Sequence, residues 1–223
     1  MILLVVDMQP RFEASTRGWL LRAVAREVRA ARSAGAGIVF LEYTRRRGDG
    51  GVPLTERTHR RLTDLVADYD DAVTVHKGQD DGSAAVLRAA EEWYGDGPGS
   101  GRHIDGGVRV VGVNTEACVA STVNGLSAAL PDLGITVVGG ACNGHGGKAP
   151  SNAGHEQIAT KGRNVRVLAV ERVGAAAWRP SRFAGTPGPS AANRPDRQGA
   201  KAGGRARRTK YESRRTENKS RTG

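Results

Sequence analysis

Five consecutive apolar residues, Ile2 to Val6, run into a single carboxylate at Asp7, with Pro10 three positions further on. A strand that is apolar on both faces reads as one buried inside a parallel sheet, with helices covering both sides. The pattern returns twice. The run Ala72 to His76 ends at Lys77 and Gly78, and the run Val108 to Val113 passes into Asn-Thr-Glu-Ala-Cys at residues 114 to 118. In an open α/β sheet, ligands bind beyond the carboxyl ends of the strands, where the strand order switches. Three strands that deliver Asp7, Lys77 and Cys118 to that edge can build one site.

Between these runs the chain alternates. Leu20, Val24 and Val28 at four-residue steps predict a helix ending at Gly35 and Gly37, and Ile38 to Tyr43 reads as a second strand. Leu62, Leu65 and Val66 mark a helix before the third strand, and Gly82 and Ser83 start another through Val86, Leu87, Ala90 and Trp93. After the fourth strand, Val119, Val123, Leu126 and Leu130 form an apolar stripe on a helix. A fifth strand is predicted over residues 135–138, a helix around Glu156 to Thr160, and a sixth strand over 165–170. Right-handed crossovers then give a three-layer α/β/α sandwich on a mostly parallel, six-stranded, Rossmann-like sheet.

Cys118 falls where a strand gives way to the first turn of a helix near Thr115 or Glu116. Free N–H groups and the positive end of the helix dipole favour a thiolate there. Taken alone, Cys118 reads as a small buried hydrophobe, Asp7 as a turn cap and Lys77 as a solvated edge residue. Together at one sheet edge they read as a nucleophile with an acid and a cation. Cys142 lacks an adjacent cation or helix start and reads as core, and His76, preceding the lysine, reads as a packing residue on the opposite strand face. His145 and His155 have no partners at metal-ligand spacing. Arg45, Arg46 and Arg47 read as a solvated loop or as a guide for an anionic substrate. The glycines at 95, 97, 99 and 101 follow no strand and are not a dinucleotide fingerprint.

LLVVDMQPRF at residues 3–12, VHKG at 75–78 and VVGVNTEACVASTV at 110–123 resemble, in order and spacing, the motifs of the isochorismatase-like cysteine hydrolases. ITVVGGAC at 135–142, followed by Gly154-His155-Glu156, is similar to the family's next strand and helix, so the resemblance spans roughly residues 1 to 175. It implies an Asp7-Lys77-Cys118 triad, oxyanion-hole amides at Asn114 and Cys118, and a cis peptide at Val113–Asn114. Where metal-dependent members such as nicotinamidases carry an Asp-x-His pair, this chain reads VFLEYTRRRGDGG at 39–51, so no metal and no cofactor is expected. The family's Phe after the lysine is missing, and Asp80, Asp81 and Gly82 stand there instead, so the pocket wall differs. Gly140 replaces a common Asp.

The expected activity is hydrolysis of a carbon–nitrogen bond in a small amide, carbamoyl or ureido compound through a Cys118 thioester. Two alternatives stay open: a metal-dependent, nicotinamidase-like amidase, and a catalytically idle α/β domain whose basic tail binds nucleic acid or a partner.

Length and charge agree with one catalytic domain, residues 1–178, and a tail, 179–223. The tail holds 13 Lys or Arg against three Asp or Glu, and so carries +10 of the formal +11. Nearly devoid of large apolar residues, it is expected to be disordered. It reads as a solvated extension or as a weak, non-specific nucleic-acid contact, with Tyr211 interleaved among its charges. Two cysteines in 223 residues make no disulfide framework. Without a signal-like or membrane-length apolar segment, a cytoplasmic protein is expected, with no membrane partner and homo-oligomerisation left open.

Overall fold

The structure, a computed structural model, describes residues 1–44, 56–94, 106–148, 155–159 and 163–168. The strands are β1 (Ile2–Val6), β2 (Gly37–Tyr43), β3 (Ala72–Lys77), β4 (Val108–Val113), β5 (Ile135–Asn143) and β6 (Val165–Leu168). All their pairings are parallel, in the order β3-β2-β1-β4-β5-β6. The helices are α1 (Gly18–Ser33), α2 (Arg60–Thr63), α3 (Ser83–Tyr94), α4 (Ala120–Ala129) and α5 (Glu156–Ala159). This is the expected α/β/α sandwich, with a sheet that is parallel throughout. The predicted tail, the arginines at 45–47 and the glycines at 95–101 lie outside the described residues.

Strand parity explains the two cores. Side chains alternate across a strand, so Ile2, Leu4 and Val6 join Val39, Leu41, Val108 and Val110 against Val86 of α3, Val123 and Leu126 of α4, and Val119 just before α4. Leu3 and Val5 join Ile38, Phe40, Val111 and Val113 against Leu20, Val24 and Val28 of α1. Every β1 residue is at most 1% exposed, which is why that strand carries no polar alternation. Helix α1 is fastened to β4 by a buried ion pair: Arg109 Nε and Nη2 donate to Glu27 Oε2 and Oε1 at 2.6 and 3.1 Å. A two-pronged guanidinium–carboxylate contact fixes orientation as well as distance.

Three expectations change. Strand β5 runs past residue 138 to Asn143, because its register against β4 slips between Val110 and Gly112. The peptide bonds among the described residues are all trans, Val113–Asn114 included. And β3 is an edge strand, so His76 does not pack in the interior: it is exposed, with Nδ1 3.6 Å from Glu42. Among the described residues no helix is long and apolar enough to cross a membrane.

Reversal of strand order occurs between β1 and β4, whose ends meet at Val6 and Gly112. Gly112 has φ +130°, and a Cβ there would lie 2.1 Å from the Val6 carbonyl oxygen. Only glycine allows this approach. Gly112→Ala is therefore expected to destabilise the domain by at least about 3 kcal/mol. Gly134→Ala, where a Cβ meets nothing within 4 Å, serves as the control and should cost under about 1 kcal/mol. Urea unfolding of both variants measures the difference, and equal midpoints would refute it.

Candidate active site

Asp7, Lys77 and Cys118 meet beyond the carboxyl ends of β1, β3 and β4. By parity, position 7 belongs to the face of Leu3 and Val5, but Asp7 leaves the strand with φ +50°. Its carboxylate meets Lys77, which shares the other face with Val73 and Val75. A non-glycine residue in this left-handed region stores roughly 1 to 3 kcal/mol of strain, least for Asp and Asn. The Asp7 amide donates to Leu41 O at 2.8 Å, which ties the turn to β2.

Lys77 spans β2 to reach Asp7. It pairs in register with Tyr43, its Nζ lies 5.5 Å from the centroid of the Tyr43 ring, and it stops 3.0 Å from Asp7 Oδ2. The pair is buried, the side chains 1% and 0% exposed. Nζ also donates to the carbonyl of Asp80 at 2.8 Å. Neither Asp7 oxygen receives an aligned hydrogen bond, so the lysine holds it as a charge.

Cys118 lies in a π-helical turn, Thr115–Val119, that precedes α4. The Asn114 carbonyl accepts the amides of Ala117 and Val119, each at 3.1 Å, and sets the start of that turn. Glu116 points away from the sulfur: its Oε1 accepts the His145 amide at 2.7 Å and pins the turn after β5. The aligned hydrogen bond of the thiol goes to Asp80 Oδ1, at 3.7 Å. Asp80 is held by its own carbonyl, which accepts Lys77 Nζ and, at 3.3 Å, Thr122 Oγ1 of α4.

Electrostatics correct one expectation. Burial pushes the Cys118 thiol up to about 12, the charge of Asp7 adds to this, and Lys77 opposes it. The turn's dipole does not overcome a low-dielectric pocket, and Cys118 rests as a neutral thiol. Burial likewise raises Asp7 above the ordinary carboxylate range, against the pull of Lys77. Cys142 is 1% exposed beside Val110 O and belongs to the core, as expected.

The rim behind Asp7 was not foreseen from the sequence. Gln9 Nε2 donates to Glu56 O at 2.7 Å, and Gln9 Oε1 accepts the Tyr43 amide at 2.8 Å. Ser15 Oγ donates to Gln9 O at 2.6 Å and lies 3.0 Å from His59 Nε2. Buried Glu42 accepts the Thr58 amide at 2.8 Å. Together they close the segment 56–59 over the ends of β1 and β2. Among the described residues no three His, Cys, Asp or Glu side chains form a group able to hold a metal ion. His145 is exposed and His155 buried.

The isochorismatase domain family model matches residues 1–172, most of the chain. The chain belongs to the isochorismatase family. Members of this family are hydrolases, and that enzyme class comes to this chain with the family. Similar solved structures include a nicotinamidase/pyrazinamidase from Bacillus subtilis, 17% identical, with 74% of this chain and 97% of that one aligned at a TM-score of 0.53. A putative hydrolase of the isochorismatase family from Chromobacterium violaceum is 16% identical, with 75% and 88% covered and a TM-score of 0.51. A ribonuclease from Caenorhabditis elegans is 17% identical, with 75% of each chain covered and a TM-score of 0.51. At these identities the likeness speaks for the fold alone. No curated protein matches by sequence.

Because the thiol is pushed up to about 12, the thiolate fraction grows about tenfold per pH unit well below that value. Alkylation of Cys118 by iodoacetamide should therefore accelerate log-linearly from about pH 7 to 10 without levelling. Cys142 should react only after unfolding. A plateau near the ordinary cysteine range, read by peptide mapping against pH, would overturn this account of the resting site.

Proposed function

We propose that this isochorismatase-family protein hydrolyses a carbon–nitrogen bond of a small amide, carbamoyl or ureido compound, with Cys118 as nucleophile. The observation that carries the reading is the buried Lys77–Asp7 contact of 3.0 Å beside a thiol that Asp7 itself influences. A cation and an acid both withdrawn from water next to a cysteine are a costly arrangement for stability alone.

The chemistry follows from the protonation states. Cys118 transfers its proton to Asp7 as Sγ bonds to the substrate carbonyl carbon, and negative charge moves onto the carbonyl oxygen. The amides of Asn114 and Cys118 receive that oxyanion; one such donor is worth about 2.7 to 4 kcal/mol. Protonated Asp7 then gives the proton to the substrate nitrogen, the C–N bond breaks and the amine leaves a Cys118 thioester. Water attacks the thioester, Asp7 takes the water's proton, and cleavage of the C–S bond with return of that proton restores the thiol and releases the acid. A base whose affinity for protons is raised serves this shuttle better than an ordinary carboxylate. Lys77 keeps Asp7 from being neutralised outright by its burial.

Ammonia release from a panel of small amides, ureas and carbamoyl compounds tests the reading. Cys118→Ala should lose at least about 10³-fold in turnover, and Asp7→Asn about 10²- to 10⁴-fold. Asn tolerates the backbone conformation at position 7, so that variant should stay folded. Since unprotonated Asp7 is required and burial raises it above its ordinary 3.8, the acid limb of kcat/KM should lie above that value. Lys77→Met should move the limb further up. Turnover is expected to survive EDTA; loss with EDTA and recovery with zinc, iron or manganese would replace the reading with a metal-dependent amidase.

A further inference from the structure

The Lys77–Asp7–Cys118 constellation leaves one nearby group without a part: Asp80, whose carboxylate accepts the aligned hydrogen bond of the thiol. Asp80 is exposed, but its backbone is held in place. Lys77 Nζ and Thr122 Oγ1 both donate to the Asp80 carbonyl, at 2.8 and 3.3 Å, and Thr122 Oγ1 in turn accepts the Gly82 amide at 3.0 Å. The backbone at position 80 is thus clamped between the end of β3 and α4, and the side chain arrives 3.7 Å from Cys118 Sγ. Neighbouring acids are committed elsewhere. Asp81 Oδ1 accepts the Ser83 amide at 2.8 Å, and Glu116 accepts the amide of His145. The charged groups whose contacts reach the sulfur are Asp7, Lys77 and Asp80, and these three sum to −1.

A carbonyl carbon poised for attack lies about 3 to 3.5 Å from the nucleophile. Any group on that carbon comes within reach of Asp80 Oδ1, a carboxylate that can only accept hydrogen bonds. An N–H donor there finds a partner, whereas a carboxylate meets an unbalanced negative field.

We propose that Asp80 is a specificity-determining residue that binds the nitrogen side of the substrate, and that the substrate is an N–H-rich neutral or cationic compound (a ureido, guanidino or amino-bearing amide) instead of an anionic one. This rests on Cys118 being the nucleophile. When such a substrate enters, its N–H replaces the thiol as donor to Asp80, which frees the thiol proton to pass to Asp7.

The test reads charge selection at the sulfur without a known substrate. Cys118 in the full chain is alkylated by 2-bromoethylamine, iodoacetamide and iodoacetate, which are cationic, neutral and anionic, and each rate is divided by that of iodoacetamide. Taking this ratio removes changes in thiolate population. One charge a few ångströms from the reaction centre, partly screened by water, corresponds to a change of about tenfold. Asp80→Asn should therefore lower the cationic-to-anionic preference by about tenfold, Asp80→Glu should largely retain it, and the wild-type preference should shrink as salt rises. An Asp80→Asn protein with the wild-type preference overturns the proposal. On the amide panel, kcat/KM for cationic or ureido substrates should fall about tenfold in Asp80→Asn relative to anionic amides of the same length. Charge selection that depends on Asp80 in a protein that releases no ammonia would uphold its electrostatic role and reject amide hydrolysis. Hydrolysis indifferent to Asp80→Asn would do the reverse.

Discussion

The rest of the site is arranged around the Lys77 ammonium, fully withdrawn from water and 3.0 Å from an equally buried Asp7. Burying two charges costs several kcal/mol per ion, and attraction between them compensates only when the remaining donors are used. Here the Asp80 carbonyl accepts a second hydrogen bond from the ammonium, and the Tyr43 ring lies within reach of the cation. The order β3-β2-β1 sets the distance the lysine must cover, because a side chain starting from β3 has to pass over the end of β2 to reach β1. Tyr43 stands at that end, in register with Lys77. The position of the acid is fixed by two backbone conformations that most residues avoid, φ +50° at Asp7 and φ +130° at Gly112. Strain of this kind persists where the surrounding structure over-determines it.

Much of this was legible in the sequence, for a specific physical reason. A strand covered on both faces must be apolar throughout, so β1 and β4 stand out as continuous runs, and the polar residue that ends or closely follows each run is by construction at the sheet edge. That logic places Asp7, Lys77 and Cys118 together. It fails wherever the determining contact is distant in sequence. Arg109 interrupts an apolar strand, and its charge is met by Glu27, 82 residues away. Tyr43 lies at the end of a predicted strand, but its role depends on lying between β1 and β3. His76 was read as interior because strand parity says nothing about whether a strand is central or at an edge. The glycines at 139 and 140 read locally as the end of β5, whereas the chain uses that region for a register slip and continues to Asn143.

Protonation was the least legible property. Placing a cysteine at a helix start argues for a thiolate, and in open solvent the dipole would decide the matter. In this pocket burial is the larger influence on both the thiol and its neighbouring acid, and it acts in the same direction on each by favouring the neutral form. The resting site therefore keeps its proton on sulfur. Such a cysteine is protected from adventitious alkylation and oxidation, which require the thiolate.

The same burial fixes how the site bears on stability. A carboxyl group whose affinity for protons is higher in the folded state contributes stability that is complete below its unfolded value, 3.8 for Asp7. That contribution is lost as pH rises through the raised folded value. Near neutrality Asp7 is therefore a liability to the fold that Lys77 only partly offsets, and its backbone strain adds to the cost. The surrounding structure absorbs it through contacts that have no other evident purpose. Gln9, Ser15 and His59 bind one another behind the turn, Glu42 holds the Thr58 amide, and the Glu27–Arg109 pair locks α1 to β4. By strand parity Glu42 and Arg109 lie on the side of the sheet away from Cys118, so the turn that carries the strain is braced from behind.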